Sequence, residues 1–486
     1  LAVFVGGCTV AAAAAVGRDE GSGVRGQGSE NDPENDPRIT DPAVPNPKSK
    51  IQNPKSDAIL DGLVELADQS LLRQVAGADG EPRFIMLETV REYAWERLEA
   101  QGEAAALQCR HAEFFVAWAQ PPPPGAPAPP LGVIIARREE EHDNLRAVLQ
   151  WTLDHGEAEM ALRLAGALWG FWDRQGYLSE GRRWLDAALA QRAQAPVRAR
   201  LAALYGAGIL ACSQGEPAAG EVWLAERLAL GRELHDPPVM AWSLYGIAWA
   251  ATGQGDFARV VRLGTECLAL FREQANKEGV SLTLRRLATA AQVQGDLAQA
   301  RAYTEESLAR DRERDDAVGV AANLSALGEL ARLHGDYTHA AAYYEESLAL
   351  NRVGGVKTRL IPVLHNLGHV ALHEQNTARA AILFAEGLGL SRELGHKPLI
   401  AACLAGLAGV AAGDHQPERA ARLFGAVDHL HQQIGGRLES IDQAEYDRNL
   451  ATARAGLDAA AWDQAWRAGA LLTLEQAIAY AVPVES

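Results

Sequence analysis

The sequence predicts an all-α protein: a right-handed solenoid of helix pairs, about forty residues per pair, behind a small N-terminal module. Three observations carry that expectation. Hydrophobic residues make up 48% of the chain but aromatics only 6%, and Ala and Leu dominate, a balance that favours close-packed helices over sheets. The chain repeats against itself every forty residues, and a turn signal falls at a fixed place inside each repeat.

The period is read from three columns. One runs Ala211, Ala251, Ala291, Ala331, Ala371 and Ala411; a second runs Leu228, Leu268, Leu308, Leu348 and Leu388; a third runs Glu226, Glu266, Glu306, Glu346 and Glu386. Between the Ala and Leu columns stand Gly215, Gly255, Gly295 and Gly335, each followed by an acidic residue. Glycine releases the first helix and the acid favours the start of the second. Gly208, Ala248, Ala288, Gly328, Gly368 and Ala408 strip bulk from the first helix, while Ala300, Ala340, Ala380 and Ala420 do so on the second, so the two can approach closely. One pair cannot bury its own apolar faces; stacked pairs can. The repeats are expected over 196–434, preceded by first helical pairs over 132–195 and closed by a helical cap over 435–486.

The N-terminal module is expected from residues 1–16 and 58–118. Helical spacing from Ala58 to Ser70 is followed by two β-like stretches, Leu71–Val75 and Arg83–Leu87, around the turn-forming Gly77-Ala-Asp-Gly80, and helical spacing resumes over Glu88–Ala100. Helix, hairpin, helix is the outline of a winged helix. Residues 17–57, rich in Gly, Asn, Asp, Pro and Ser, cannot bury a core and are expected to be disordered. A linker over 119–131 contains seven prolines between Pro121 and Pro130.

Lys plus Arg number 46 against 63 Asp plus Glu, a formal charge of −17 that disfavours broad nucleic-acid binding. The predicted helix over Asp57–Ser70 carries Asp57, Asp61, Glu65 and Asp68 and no cation, so no direct DNA contact is expected from it. Five cysteines without a C-x-x-C pair indicate reduced thiols and a cytoplasmic setting, and no apolar run is long enough for a membrane span.

Leu327-Gly-Glu-Leu-Ala331, followed by Gly335-Asp-Tyr337, Ala340, Tyr344 and Ser347-Leu-Ala349, resembles the tetratricopeptide repeat. The forty-residue period is similar to the longer-helix version in bacterial regulators of the MalT and AfsR kind. Further stretches resemble bacterial signal-transduction ATPases in which an NB-ARC-type nucleotide-binding domain precedes a winged helix and such repeats. These are Leu1-Ala-Val-Phe-Val-Gly-Gly7, Leu63–Leu71, Phe84–Ala94, Glu141-His-Asp-Asn-Leu-Arg-Ala147, Ala421-Arg-Leu-Phe-Gly-Ala426 and Leu472–Ala477. The resemblance implies an upstream nucleotide-binding domain as a partner and a winged helix that acts as a structural relay. The ATPase motif itself is not in the sequence: Gly354-Gly-Val-Lys-Thr358 has Val356 between glycine and lysine and no glycine at the upstream spacing.

No G-x-S-x-G or cysteine-nucleophile signature is present, so no catalytic residue, cofactor or metal site is assigned. His365, His369 and His373 recur at i, i+4 and i+8, which leaves a metal-dependent enzyme as the weakest alternative, because the glutamate of H-E-x-x-H is replaced by Asn366. Placing the tetratricopeptide pattern on the chain implies that first helices line a concave groove through Tyr205, Trp242, Tyr245, Trp249, Arg285, Gln292, Glu329, Arg332, His365 and His369. For Trp242 and Trp249, packing between repeats is an equal reading. The expected function is a sensor or scaffold for a protein, peptide or small inducer, with a free-standing adaptor as the alternative.

Overall fold

The computed structural model describes residues 1–17, 54–78, 80–122, 129–354, 357–434 and 440–482. Most of the low-complexity stretch expected over 17–57 lies outside these residues, as do 123–128 of the proline linker and Gly355 and Val356 of the rejected phosphate-loop string. The chain divides into two compact units, Leu1–Val239 and Met240–Ser486.

In the first unit, β1 (Cys8–Thr9) and α1 (Val10–Val16) precede α2 (Pro54–Asp68), β2 (Leu72–Ala76), β3 (Pro82–Met86) and α3 (Glu88–Gln101). The strands form one antiparallel sheet in the order β1-β3-β2, with Cys8 opposite Phe84 and Leu72 opposite Met86. The hairpin is legible in the sequence; β1 is not, because two residues carry no alternation to read. The helix predicted to run to Ser70 stops at Asp68, and Ser70 turns the chain with a φ of 61°.

Seven α-helices follow among the described residues of this unit: α4 (Ala104–Ala119), α5 (Leu131–Glu140), α6 (His142–Asp154), α7 (Ala158–Gln175), α8 (Leu178–Ala190), α9 (Val197–Ser213) and α10 (Pro217–Glu233). A buried polar network fastens the winged module to them. The Arg83 guanidinium on β3 pairs with the Glu141 carboxylate and donates to the carbonyls of Gly7 and Glu140, each at 3.1 Å. Asn144 on α6 accepts from Val5 N at 2.7 Å and donates to Gly7 O at 2.9 Å, and Arg146 forks onto Glu180 of α8 with both contacts at 2.6 Å. Three polar residues of the Glu141–Ala147 motif are thereby explained: each ties α6 to a different neighbour.

The second unit holds the regular repeats. Its helices are α11 (Pro237–Gly253, whose first residues precede the unit boundary), α12 (Phe257–Glu273), α13 (Lys277–Val293), α14 (Leu297–Arg312), α15 (Ala317–Leu333), α16 (Tyr337–Gly354), α17 (Lys357–His373), α18 (Thr377–Glu393), α19 (Lys397–Gly413) and α20 (Pro417–Ile434). Odd-numbered members from α11 to α19 are first helices of pairs. Three helices finish the chain: α21 (Ser440–Ala455), α22 (Ala459–Ala470) and α23 (Leu474–Ala481).

One turn design recurs at half the sequence period. Positive φ falls at Gly255, Ala275, Gly295, Asp315, Gly335, Gln375, Gly395 and His415, twenty residues apart wherever consecutive turns are described. The next residue caps the following helix: Asp256, Asn276, Asp296, Asp316 and Asn376 each accept from the backbone N–H three residues on. That same residue donates its own N–H five residues back, as Asp256 does to Ala251 O at 3.0 Å, closing a Schellman turn. Only the turns with glycine at the left-handed position are visible as a sequence column.

The small positions act as expected. A Cβ on Gly328 would lie 2.7 Å from the ring of Tyr344, so the first helix can admit this fully buried tyrosine of its partner only without a side chain there. Gly425, in the Ala421–Ala426 motif, and Gly469 let α20 and α22 touch backbone to backbone, since an added Cβ would meet Trp466 O at 2.2 Å or Arg422 O at 1.8 Å. The glutamate column is partly an ion-pair ladder between successive second helices. Arg272, Arg312 and Arg352 reach Glu306, Glu346 and Glu386 at 2.7, 3.2 and 2.8 Å.

Candidate functional site

The ten residues predicted to line one groove meet three different fates. Tyr205, in the first unit, takes the Arg227 guanidinium over its ring at 4.9 Å and the edge of Trp169 at 5.3 Å. It packs between neighbouring helices.

An aromatic patch sits on α11 and α13. Tyr245 and Trp249, half-buried, share the guanidinium of Arg286, which lies 4.8 and 5.4 Å from their ring centres and donates to the Tyr245 hydroxyl at 3.0 Å. Arg286 was not among the predicted residues, although its neighbour Arg285 was. Arg285 turns instead to Asp311 Oδ2 at 3.3 Å, a fully buried carboxylate. Trp242 presents its ring edge-on to Phe271 at 4.9 Å, which favours the packing reading for it. Further along the same face, Gln292 donates to Glu329 at 2.6 Å.

The late repeats differ, because α21 lies across their first helices. Arg332 of α15 donates to Asp442 Oδ1 at 3.1 Å, His365 Nε2 of α17 lies 3.4 Å from Asp442 Oδ2, and His373 Nε2 lies 2.9 Å from Glu445 Oε1. Arg448 also pairs with Glu445 and donates to His373 Nε2 at 2.7 Å, while Tyr337 stacks on the His373 ring at 3.8 Å. On α19, Gly409 leaves room for Asn449. As a result Arg332, His365 and His369, expected on an open groove, are only 4%, 6% and 4% exposed. The reason is the chain's own cap helix, which no repeat pattern could announce.

Charge is balanced tightly here. Burial alone would raise the Asp442 carboxyl, but its hydrogen bond to His365 and the positive charge of Arg332 outweigh that and hold it well below the usual carboxylate range. Burial, reinforced by His365 and Arg332, pushes His369 well below the ordinary imidazole value and so keeps it neutral. The three predicted histidines do not converge as a set: His373 engages Glu445, whereas His365 and His369 meet each other, their Nε2 atoms 3.2 Å apart.

The geometry is that of a helical-repeat protein carrying a winged helix, and family models agree. A tetratricopeptide repeat model matches residues 279–352, and a winged helix-turn-helix domain model matches 47–99. A protein of Mycobacterium tuberculosis named as an HTH-type transcriptional regulator is 32% identical over 198 residues, and its counterpart in Mycobacterium bovis matches equally. The match takes in 38% of this chain and only 22% of those relatives, so the chain spans a small part of their length. Among solved structures, the signal transduction ATPase with numerous domains PH0952 from Pyrococcus horikoshii, described as having a tetratricopeptide repeat sensor, is 14% identical with a TM-score of 0.54. That likeness covers 84% of this chain and 57% of the archaeal one. No helix among the described residues is long and apolar enough to cross a membrane.

Proposed function

We propose that this chain is the sensor and scaffold part of a bacterial signal-responsive ATPase or transcriptional regulator of the NB-ARC, AfsR and MalT kind. It binds rather than catalyses. A protein or peptide docks on the first-helix face of the early repeats, and its occupancy biases a nucleotide switch that this sequence does not contain. The observation that carries the reading is the patch of Tyr245, Trp249 and Arg286: two half-buried aromatics around one guanidinium, the residue types that anchor protein partners. The order of a winged helix followed by repeats, and a relative named as a transcriptional regulator, support it as well. The winged module serves as a relay and not a DNA reader, because its helix α2 exposes Asp61, Glu65 and Asp68, which phosphates repel.

Affinity capture from the source bacterium, followed by quantitative comparison of parent and Trp249→Ala, tests the reading. A specific partner lost by at least tenfold, with the melting temperature of the variant within a few degrees of the parent, is the expected result. Equal capture by both, or a variant that unfolds, returns Trp249 to a packing role. A phosphate-binding loop encoded just upstream would support the ATPase context, and its absence would favour a free-standing adaptor.

A further inference from the structure

His365, His369 and Asp442 place one donor atom each within 4.8 Å of one another, on two helices far apart in sequence. From the juxtaposition of His365 Nε2, His369 Nε2 and Asp442 Oδ2 between α17 and α21 we infer a binding site for a zinc-class divalent cation that latches the cap helix onto the solenoid.

Distances set the first argument. A tetrahedral zinc ion with bonds of about 2.05 Å to nitrogen separates its ligand atoms by about 3.3 Å. The two imidazole nitrogens are 3.2 Å apart, and His365 Nε2 is 3.4 Å from the carboxylate oxygen. An i, i+4 pair on a single helix supplies the first two ligands from one rigid element.

Proton accounting sets the second. Three atoms that can each offer a lone pair point at one place, yet at most one proton on His365 can bridge to Asp442, and it leaves His369 facing a neighbour with nothing further to donate. A divalent cation accepts all three lone pairs at once. The 3.2 and 3.4 Å contacts make Nε2 the nitrogen each ring directs at the cluster, and ligation there puts the ring proton on Nδ1, which has no hydrogen-bond partner among the described residues in either histidine. Asp442 Oδ1 accepts from Arg332, the kind of outer contact that orients a ligating carboxylate. Two imidazoles and a carboxylate select zinc and its neighbours over magnesium or calcium, which prefer all-oxygen sites.

Burial decides the role. Both histidines are under a tenth exposed and the Asp442 side chain is 18% exposed, too little open surface for a substrate, so the ion's role is structural. Asp442 comes from α21 and the histidines from α17, so the ion ties the covering helix to the face it covers. The latch is independent of the partner-docking reading, which rests on α11 and α13.

The test uses the full chain stripped of metal and titrated with zinc chloride alone. One equivalent should bind, and the melting temperature should rise by about 5–10 °C when free zinc exceeds Kd about a hundredfold. Hydrogen exchange across 440–455 should slow in the zinc-loaded protein. His369→Gln and Asp442→Asn, checked for folding by circular dichroism, should each lose affinity by at least tenfold. Cobalt in the parent should give the intense visible bands of a four-coordinate site, a measurement that needs no variant. A parent that binds no stoichiometric zinc, a parent without those bands, or folded variants that bind as tightly as the parent would overturn the site and leave a proton shared among the three groups.

Discussion

Tyr245 and Trp249 occupy the same repeat positions as His365 and His369, three periods earlier in the chain. The backbone aims both pairs the same way. The early pair meets an arginine of the next first helix and stays half-buried; the late pair meets α21 and is almost fully covered. What differs is the segment laid over the repeat and not the repeat itself. A solenoid period therefore sets where side chains point, while the non-repeating remainder sets whether that face is open to a partner.

The contrast breaks most readily at Asp442. Arg332 has a side chain only 2% exposed, and Asp442 is its partner. Removing the carboxylate strands a buried guanidinium, and breaking such a pair is worth about 3–5 kcal/mol. Asp442→Ala should therefore lower the urea midpoint of the late repeats by far more than Tyr245→Phe lowers that of the early ones. Equal, small losses would mean that α21 is not seated on that face.

A histidine without an acid opposite sharpens the same contrast. His111, in the first unit, lies 4.9 Å from the rings of both Phe4 and Phe115 and is pushed down to about 4, chiefly by burial. Its unfolded value is near 6.5, so the unfolded chain binds the extra proton first. Stability from this neutral imidazole is complete above pH 6.5, declines as the pH falls towards 4 and is flat below. The full loss is about 3 kcal/mol. Unfolding free energies measured across that window should flatten in His111→Gln; an unchanged slope would remove His111 as the acid-sensitive group.

How much of this was legible follows from where each feature keeps its signal. The helix pairs were readable because Gly255, Gly295 and Gly335 mark left-handed turns that glycine adopts freely. The alternate turns use the same geometry with Ala275 and Asp315, so half of the turn period left no column. Arg286 was missed beside Arg285 because adjacent helical residues point about 100° apart and only the coordinates choose between them. Asp442 carried no signal: it lies outside the repeats, and its partners Arg332 and His365 are named only by contact. The unread turns offer their own check. Ala275 holds a φ of 52°, and Ala275→Gly should stabilise the early repeats by about 1 kcal/mol, read as a higher urea midpoint. No gain would indicate that the alanine turn is relieved by neighbours.

The smallest effect separates exposed from buried pairing. Arg272 and Glu306 meet at 2.7 Å, but their side chains are 52% and 34% exposed, so water screens the attraction and both chains lose rotamer freedom in holding it. Glu306→Gln should change stability by no more than about 0.5 kcal/mol, and that change should vanish in high salt. Ladder contacts of this kind recur along the second helices, so they align successive pairs without holding them together. Cohesion comes from the buried small-residue seams, such as Gly328 against Tyr344, and a loss at Glu306 approaching that at Asp442 would reverse this ranking.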